Sequence, residues 1–429
     1  MSLSGLLCKD NLMSYMPRIV DAELSRRLTS ARIVVLEGAK ACGKTETALQ
    51  VAKSFVRLDI DQNARIAIAT DPGLVLEGET PRLIDEWQIE PEIWNHARHL
   101  SDDRKKPGQF ILIGPAVPEE DSNRHSGAGR FSFLRMRPMS LFEIGESEGS
   151  ASLASMMDGN SARSGELKLS VPDLAKIVVR GGWPAQQGAT MNNAAQAAKD
   201  YLRQIREVDV NRVGGARRNP SKVGRLLASL GRNVATEVTL KTLAEDASDP
   251  GETMSANTLA GYLEVLSRLM VLEDQPAWAP HLRSKTPLRQ ASKRHFVDPS
   301  LATAAISAGP NRLEKDLELL GLLFESLVIR DLRVLSQPLD GEVFHFRDKE
   351  GLEIDAIVQL GDGRWGAFEV KFGGDKQIEQ GAASLLRFAD VVDATRLGVP
   401  MVLCVICLSG YGYVRGDGVN VIPIRALGP

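Results

Sequence analysis

The stretch that decides the fold is GAKACGKT at residues 38–45, which directly follows the apolar run RIVVLE at residues 32–37. A short, unbroken run of β-branched and apolar residues predicts a buried parallel strand. The next eight residues fit the pattern G-x-x-x-x-G-K-T, and a helix is predicted to begin near Lys44. A strand, a glycine-rich loop and a helix in this order predict an open α/β sheet with a phosphate-binding loop at a strand end.

The residues of this loop are candidates for binding ATP. Gly38 and Gly43 allow backbone N–H groups to face phosphate oxygens, and the N-terminus of the following helix adds partial positive charge. We expect Lys44 to contact the β- and γ-phosphates and Thr45 to ligate Mg²⁺. The predicted ATP contacts are Gly38, Ala39, Lys40, Ala41, Cys42, Gly43, Lys44, Thr45 and Asp85.

A second predicted strand ends in Leu83-Ile84-Asp85-Glu86. Ligands of open α/β sheets lie at the carboxyl ends of strands, so Asp85 is expected to complete the Mg²⁺ shell and Glu86 to polarise the attacking water. The alternative is a surface Asp-Glu pair that opens a loop.

A third predicted strand, at residues 109–113, ends at Gly114-Pro115 without a polar side chain near the expected γ-phosphate position. Arg130, Arg135 and Arg137 follow downstream. Any of the three is a candidate for neutralising transition-state charge, in its own chain or across a subunit boundary. Ion pairing with acidic neighbours is an equally plausible role for two of them.

Composition sets the class of protein. The chain has 429 residues, 43% of them hydrophobic and 25% charged, which is typical of globular proteins of two to four domains. No apolar run approaches the roughly 20 residues of a membrane helix, and the start lacks the features of a secretion signal. Four cysteines are too few for a disulfide framework, and Cys404 and Cys407 lie in the apolar run MVLCVICL, where core packing is expected. We therefore expect a cytoplasmic protein with no membrane partner.

The middle of the chain has two predicted parts. Residues 145–165, rich in Gly, Ser and acidic residues, favour a flexible insertion, and helical patterns on either side of RGGWP indicate a lid. Helices over 220–231, 240–247 and 255–272 then have the spacing of a winged helix, with a DNA-contacting third helix and a wing at 281–295. Basic residues support DNA as a partner, although a solvated loop or a protein-binding module is the alternative: Arg217, Arg218, Lys222, Arg225, Arg232, Arg283, Lys285, Arg289, Lys293 and Arg294.

The carboxyl-terminal region is predicted to have the order α-β-β-β-α-β-β. Gly361-Asp362-Gly363 is a hairpin signal between strands at 353–360 and 365–372. A hairpin centred on Asp362 pairs residues whose numbers sum to 724, so Asp355 faces Glu369 and Glu353 faces Lys371. The opposite face is expected to hold Ile354, Ala356, Val358, Phe368 and Val370.

Two opposed carboxylates repel each other unless a divalent cation lies between them. With Lys371 beside them, Asp355 and Glu369 are the arrangement that metal-dependent phosphodiester hydrolysis uses, and Glu325 from the preceding helix is a further candidate metal ligand. A Glu353–Lys371 ion pair on a solvated sheet face, with no metal, is the alternative.

Taken together, these motifs resemble the prokaryotic ATPases that join an AAA-type domain to a carboxyl-terminal domain of PD-(D/E)XK nuclease fold. The motifs that carry the resemblance are MPRIVD at 16–21, GAKACGKT, LIDEW at 83–87, GQFILIG at 108–114, HSGAGR, MRPMSLFE, RGGWPA, LFES at 323–326, EID at 353–355 and EVK at 369–371. The family usually has a small polar residue at the position of Ile113 and a serine at that of Pro115, which predicts slow hydrolysis here.

The resemblance implies a multidomain α/β chain in four parts. These are a P-loop AAA-type ATPase core at 1–144, a flexible insertion and helical lid at 145–215, a winged-helix-like domain at 216–295 and a restriction-endonuclease-like domain at 296–429. It implies a homo-oligomer, such as a hexameric ring, in which Arg130 completes the site of a neighbouring subunit. The expected function is ATP hydrolysis coupled to a DNA-engaging, metal-dependent nuclease-like domain. The alternatives are DNA remodelling by a non-cleaving domain, and a defence or signalling ATPase that acts on a protein partner.

Overall fold

The strand predicted from RIVVLE lies inside a five-stranded parallel sheet with the strand order β2-β3-β4-β1-β5. A computed structural model describes residues 15–114, 129–212, 218–249, 251, 254–278 and 291–429. The strands of this first sheet are β1 Ile33–Gly38, β2 Ser54–Arg57, β3 Arg82–Asp85, β4 Phe110–Gly114 and β5 Phe131–Met136. The helices of the same region are α1 Val20–Ser30, α2 Lys44–Leu49, α3 Gln62–Thr70 and α4 Glu92–Arg104.

Residues 145–165 do not form the flexible insertion that their composition predicts, and the elements found there extend to Leu167. They contain β6 Ala151–Ser152, α5 Leu153–Met157 and β7 Ser164–Leu167. β6 pairs with the last strand of the chain, β14 Leu427–Gly428, and β7 pairs with β12 Gly410–Val414. The expectation was wrong because the backbone of this polar stretch pairs with strands that lie more than 240 residues later in the sequence.

A group of helices connects the two sheets. Ser255 caps its helix as predicted, accepting a hydrogen bond from the backbone N–H of Thr258. After these helices, backbone bridges join Leu272 to Phe296 and Gln275 to Lys293. The helices are α6 Val171–Arg180, α7 Met191–Glu207, α8 Pro220–Arg232, α9 Leu240–Ala247, α10 Ala256–Arg268, α11 Pro299–Ala305, α12 Pro310–Leu313 and α13 Leu317–Ser336.

The carboxyl-terminal sheet has seven strands in the order β7-β12-β13-β11-β10-β9-β8. Its remaining elements are β8 Gly341–Arg347, β9 Glu353–Leu360, β10 Trp365–Lys371, α14 Asp375–Val391, α15 Ala394–Leu397, β11 Val402–Cys407 and β13 Asn420–Pro423. The predicted hairpin register is confirmed: Trp365 pairs with Gln359 and Phe368 with Ala356. Cys404 and Cys407 are buried in cores on opposite faces of this sheet, as expected for strand positions three apart.

One apolar core contacts the first sheet, the helical region and the inner face of the second sheet. Helix α13 is its centre, and most of its 20 residues are buried. Separate cores cover the outer face of each sheet, around Trp87 and Trp94 in the first and around Trp278 and Trp365 in the second. Among the described residues, no helix is long and apolar enough to cross a bilayer.

Candidate functional site

The phosphate-binding loop joins β1 to α2 at the carboxyl edge of the first sheet. Gly43 precedes the helix with φ 104°, a conformation that favours glycine. Gly38 is required for a different reason, because a Cβ there would lie 2.2 Å from the backbone oxygen of Met136. Both glycines of the motif therefore have a local structural requirement, and together they hold the loop in its curled form.

The two side chains after Gly43 carry the chemistry of the loop. The ammonium of Lys44 is buried and donates hydrogen bonds of 2.9 Å to the backbone oxygens of Gly38 and Ala39. Thr45 donates from Oγ1 to Oδ2 of Asp85 at 2.9 Å, although β4 lies between β1 and β3 in the sheet. Burial raises the pKa of Asp85, and the hydrogen bond from Thr45 opposes that shift. The hydroxyl and carboxylate oxygens fit Mg²⁺, which prefers oxygen ligands.

Glu86 follows β3 in the left-handed region, with φ 56°, and has Gln88 as a close partner. The side-chain amide of Gln88 donates to Oε2 of Glu86. Its other atom, Oε1, is buried and has no hydrogen-bond partner within the described part of the chain. A Cβ added at Gly114 would lie 2.4 Å from this Oε1. Gln88 therefore occupies the space beside the end of β4 where a larger residue would project.

The position of Gln88 matters because β4 ends without a polar side chain of its own. Ile113 is buried and apolar, as its sequence predicts, and Pro115 lies outside the described residues. The structure supplies a polar group there from the turn after β3. Gln88 was missed because its position three residues beyond Asp85 carries no motif of its own; only the contact with Gly114 reveals it.

The loop is also tied to distant parts of the chain. Lys40 pairs with Asp209, which follows α7, with 2.7 Å between Nζ and Oδ1. Arg18 donates from Nη1 to the backbone oxygen of Cys42 at 2.8 Å and pairs with Glu143 at 3.0 Å. A change in loop conformation would therefore be felt by the helical region and by the residues before α1.

The three candidate arginines lie in different places. Arg130 precedes β5 at the edge of the sheet opposite the phosphate-binding loop, because Ile33 at the start of β1 pairs with Phe131. There its Nε lies 3.1 Å from Oδ1 of Asp102. Arg130 is therefore remote from the loop of its own chain, and the predicted catalytic role is left only for contact across a subunit boundary.

Arg135 lies near the end of β5 and Arg137 directly follows it, on the side of the sheet that holds the loop, but both bind a carboxylate from the helical region. Glu273 is within 2.9 Å of Arg135 and 2.6 Å of Arg137, and Arg333 of α13 lies 3.9 Å away. Arg137 also donates to Oε1 of Gln337 at 2.5 Å. Despite the opposing effect of burial, the surrounding arginines hold the pKa of Glu273 well below its usual range. This cluster, the Glu273 hub, joins the first sheet to the helix that supports the second.

The predicted carboxyl-terminal residues come together where β9 begins and β10 ends. Lys371 contacts the carboxylate of Glu369 and lies 3.6 Å from Oδ2 of Asp355. Glu325 of α13 joins them through Lys293, whose Nζ is 2.6 Å from Oε1 of Glu325 and 3.6 Å from Oδ1 of Asp355. We call these five residues the carboxylate-lysine cluster.

A β-bulge produces this arrangement and corrects the predicted faces. Phe344 pairs with Ile357 but Phe346 pairs with Ile354, so two residues of β9 lie opposite one residue of β8. Ile354 therefore packs in the outer core, whereas Ala356, Val358 and Phe368 pack in the central core. Glu353 was predicted to face Lys371 and instead pairs with Arg347 at 3.1 Å.

Charge is nearly balanced inside the carboxylate-lysine cluster. Burial and the proximity of Asp355 raise the pKa of Glu369 well above its usual value. Burial also raises the pKa of Glu325 to about 7. Despite burial, the two lysines keep the pKa of Asp355 below its ordinary value. Among the described residues, no group of three or more His, Cys, Asp or Glu side chains is placed to hold a metal ion. The predicted second metal site thus finds no support in the geometry.

Several cations assigned to DNA contact are paired with acidic residues. Lys222 and Arg225 lie 3.4 and 2.8 Å from carboxylate oxygens of Asp249. Arg232 lies 3.1 Å from Asp246, and Arg294 contacts Asp274. Arg217 and residues 281–290, which include Arg283, Lys285 and Arg289, lie outside the described residues. The described basic residues therefore form local ion pairs in preference to one continuous positive surface.

Comparison with known proteins identifies a family match over the segment that contains the phosphate-binding loop. Residues 30–145 match a family model described as an AAA domain. The match supports an AAA-type ATPase family. The rest of the chain matches two families of unknown function, one over residues 171–312 and described as DUF8612, the other over residues 320–427 and described as DUF4143. This AAA-type match contains the whole phosphate-binding loop as well as Asp85 and Glu86.

Similar proteins include two from mycobacteria. The uncharacterised proteins Mb2031c of Mycobacterium bovis and Rv2008c of Mycobacterium tuberculosis are each 23% identical over 370 residues, covering 85% of this chain and 76% of theirs. A solved structure, the Walker-type ATPase PABY2304 of Pyrococcus abyssi, aligns with 12% identity and a TM-score of 0.40, over 66% of this chain and 94% of its own.

Proposed function

We propose that the protein hydrolyses ATP at the phosphate-binding loop. The observation that carries the proposal is the hydrogen bond from Thr45 to Asp85, which brings the loop and the acidic strand end to one place. Mg²⁺ bound with ATP would be held by Thr45 and Asp85, and it would neutralise phosphate charge. Lys44 would exchange its bonds to Gly38 and Ala39 for phosphate oxygens.

Glu86 is the residue that we assign to the attacking water. Its carboxylate follows β3 directly and accepts a proton or orients the water next to the γ-phosphate. Gln88 holds Glu86 through its amide and is a positioning residue in this proposal. β4 ends in Ile113 and Gly114, and the polar atoms beside Gly114 come from Gln88 and from the indole N–H of Trp87.

The test is nucleotide binding and phosphate release by matched variants. Lys44→Ala should lose both ATP binding and hydrolysis, because the ammonium that contacts the phosphates is gone. Lys53→Ala, which removes an exposed lysine just after α2, should retain both. ATP affinity that is the same in Lys44→Ala and in the unaltered protein would refute the proposal.

Oligomer formation is part of the same proposal. Arg130 lies on the far edge of the sheet from the loop, so it would act only on a neighbouring subunit in a ring. Mixing Lys44→Ala and Arg130→Ala proteins tests this idea, because a mixed ring contains sites with an intact loop and an intact arginine. Recovery of hydrolysis on mixing supports a ring. A mixture whose hydrolysis rate only equals the sum of the two separate variants would exclude a role for Arg130 in trans.

DNA is the partner class that we propose for the helical region. Support comes from Arg283, Lys285 and Arg289 in the basic stretch of the sequence at 281–295, whereas the burial of Lys293 and the ion pairs of Arg294 and of α8 weaken the case. Binding to labelled single-stranded and duplex DNA at low salt, where phosphate contacts are strongest, provides the test. Binding that falls steeply with salt supports a DNA partner, and its absence would favour a protein partner.

A further inference from the structure

Lys293 is held in the carboxylate-lysine cluster by its own backbone. It exchanges two backbone hydrogen bonds with Gln275, at 2.9 and 3.0 Å, and this ladder fixes where its side chain starts. The residue is 7% exposed, and its ammonium enters between Glu325 and Asp355. Gln275 in turn donates from its side chain to the backbone oxygen of Asp355 at 2.9 Å. The position of this ammonium is thus set by several independent contacts.

Both oxygens of Asp355 already face donors. Oδ1 lies 3.6 Å from Lys293, and Oδ2 accepts a 2.8 Å hydrogen bond from the backbone N–H of Val370 and lies 3.6 Å from Lys371. Glu369 is in contact with Lys371, and Glu325 is 2.6 Å from Lys293. Each of the three carboxylates therefore has an ammonium next to it.

A divalent cation needs oxygen ligands at about 2.0 to 2.6 Å, so it cannot share the same position with an ammonium that is hydrogen-bonded to Glu325. The ligands would have to release Lys293 first, and burial makes an unpaired ammonium costly. The local geometry thus opposes the metal site that the motif residues alone predict.

We infer that the ammonium of Lys293 takes the place of a divalent cation between Glu325 and Asp355, so that the carboxyl-terminal domain keeps this cluster without a metal. The inference is independent of the ATP site. It argues against cleavage of nucleic acid by a metal ion that uses Glu325 and Asp355 as ligands, and it favours the two alternatives in which this domain grips DNA or binds a protein. Lys293 belongs to the segment before α11, so the helical region itself supplies the internal cation to the second sheet.

The experiment is Mn²⁺ binding without nucleotide, measured by calorimetry and by the shift of the melting temperature. We compare the unaltered protein with Lys293→Met, whose unbranched side chain is one heavy atom shorter and uncharged. The control is Lys349→Met, which removes an exposed lysine from the turn before β9. Lys293→Met should bind Mn²⁺ at least tenfold more tightly than the unaltered protein and should be stabilised by it, whereas Lys349→Met should not differ from the unaltered protein.

The variant Asp355→Asn shows whether the measured Mn²⁺ binds at the carboxylate-lysine cluster. The gain in Lys293→Met should disappear when Asp355→Asn is added, because that change removes a ligand charge. Mn²⁺ binding by the unaltered protein that is lost in Asp355→Asn would overturn the inference, as would Asp355-dependent cleavage of DNA. If Lys293→Met does not fold, these last two measurements still decide the question, because they use only the unaltered protein and Asp355→Asn. Folded Lys293→Met without any gain in Mn²⁺ affinity would also overturn it.

Discussion

Lys40 of the phosphate-binding loop donates to Oδ1 of Asp209 at 2.7 Å, and this contact joins the loop to the helical region directly after α7. Asp209 is 2% exposed, and its second oxygen has no hydrogen-bond partner among the described residues. When a nucleotide is bound, its phosphates compete with the carboxylate of Asp209 for the ammonium of Lys40. We therefore expect nucleotide binding to act on the helical region through this pair.

Asp209→Asn should strengthen ATP binding, because Lys40 is then free to turn toward the phosphates. Lys40 is partly exposed, so the expected gain is that of a partly solvated pair, about two- to fivefold in the dissociation constant. Calorimetric titration with ATP and Mg²⁺ measures it. Asp200→Asn, on the exposed side of α7, is the matched control. Weaker ATP binding in Asp209→Asn would contradict a competition for Lys40.

Gln88→Ala should lower kcat by about ten- to a hundredfold while leaving ATP affinity nearly unchanged, because a residue that orients Glu86 acts mainly in the transition state. Glu86→Gln gives the reference for complete loss of water activation. Steady-state kinetics together with equilibrium nucleotide binding separate the two effects. Gln50→Ala, at the exposed end of α2, serves as the control. An equal loss of affinity and kcat would show that Gln88 shapes the pocket and does not act on Glu86.

Glu273→Gln should destabilise the protein by about 3 to 5 kcal/mol, since removing one partner of a buried ion pair leaves the other charges uncompensated. Those charges are the guanidinium groups of Arg137 and Arg333, which are 14% and 7% exposed. Urea denaturation gives the free energy of unfolding. Glu342→Gln, which alters an exposed carboxylate of β8, should change it by less than about 0.5 kcal/mol. Equal stability of the two variants would mean that the Glu273 hub contributes little.

His345 should make the folded state sensitive to mild acid. Burial, with Lys293 nearby, lowers the pKa of His345 to about 4, and its Nε2 lies 3.1 Å from the backbone oxygen of Ala291. The imidazole of His345 binds a proton near pH 6.5 in the unfolded chain but only near pH 4 in the folded chain. The free energy of unfolding therefore falls as the pH falls between these values. The loss from this group is at most about 3.4 kcal/mol.

Melting temperatures of His345→Gln between pH 7 and pH 4 check this expectation. The variant should be less stable at pH 7 but should lose less stability on acidification than the unaltered protein, since the titrating group has been removed. His96→Gln, an exposed change in α4, should follow the unaltered protein at every pH. Parallel curves for His345→Gln and the unaltered protein would assign the acid sensitivity to other groups.

Much of each site could be predicted from local patterns. The loop, Asp85 and the hairpin centred on Asp362 depend on residues that are close in sequence or follow strand periodicity, and the structure places them accordingly. Asp355, Glu369 and Lys371 were also expected together, and they are. These predictions succeeded because a parallel sheet brings its strand ends to one edge and a hairpin fixes its own register.

The remaining features depend on contacts that have no local signal. A bulge adds one residue to β9, which moved Ile354 to the other face and left Glu353 beside Arg347. Lys293 reaches the carboxylates from a segment that had been assigned to a wing. Gln88 is recognised only by its contact with Gly114, which is 26 positions later in the sequence. Long-range packing decides such contacts, and periodicity carries no information about them.

The pairing of β7 with β12 and of β6 with β14 has a consequence for folding of the chain during its synthesis. These early strands emerge from the ribosome long before their partners, which lie at 410–414 and 427–428. Domains usually fold in the order of their synthesis, but here a segment next to the first sheet must wait until residues 410–428 have been made. The first sheet, which uses only residues 33–136, can therefore form early, whereas a chain that stops before residue 410 would leave β6 and β7 without their partner strands.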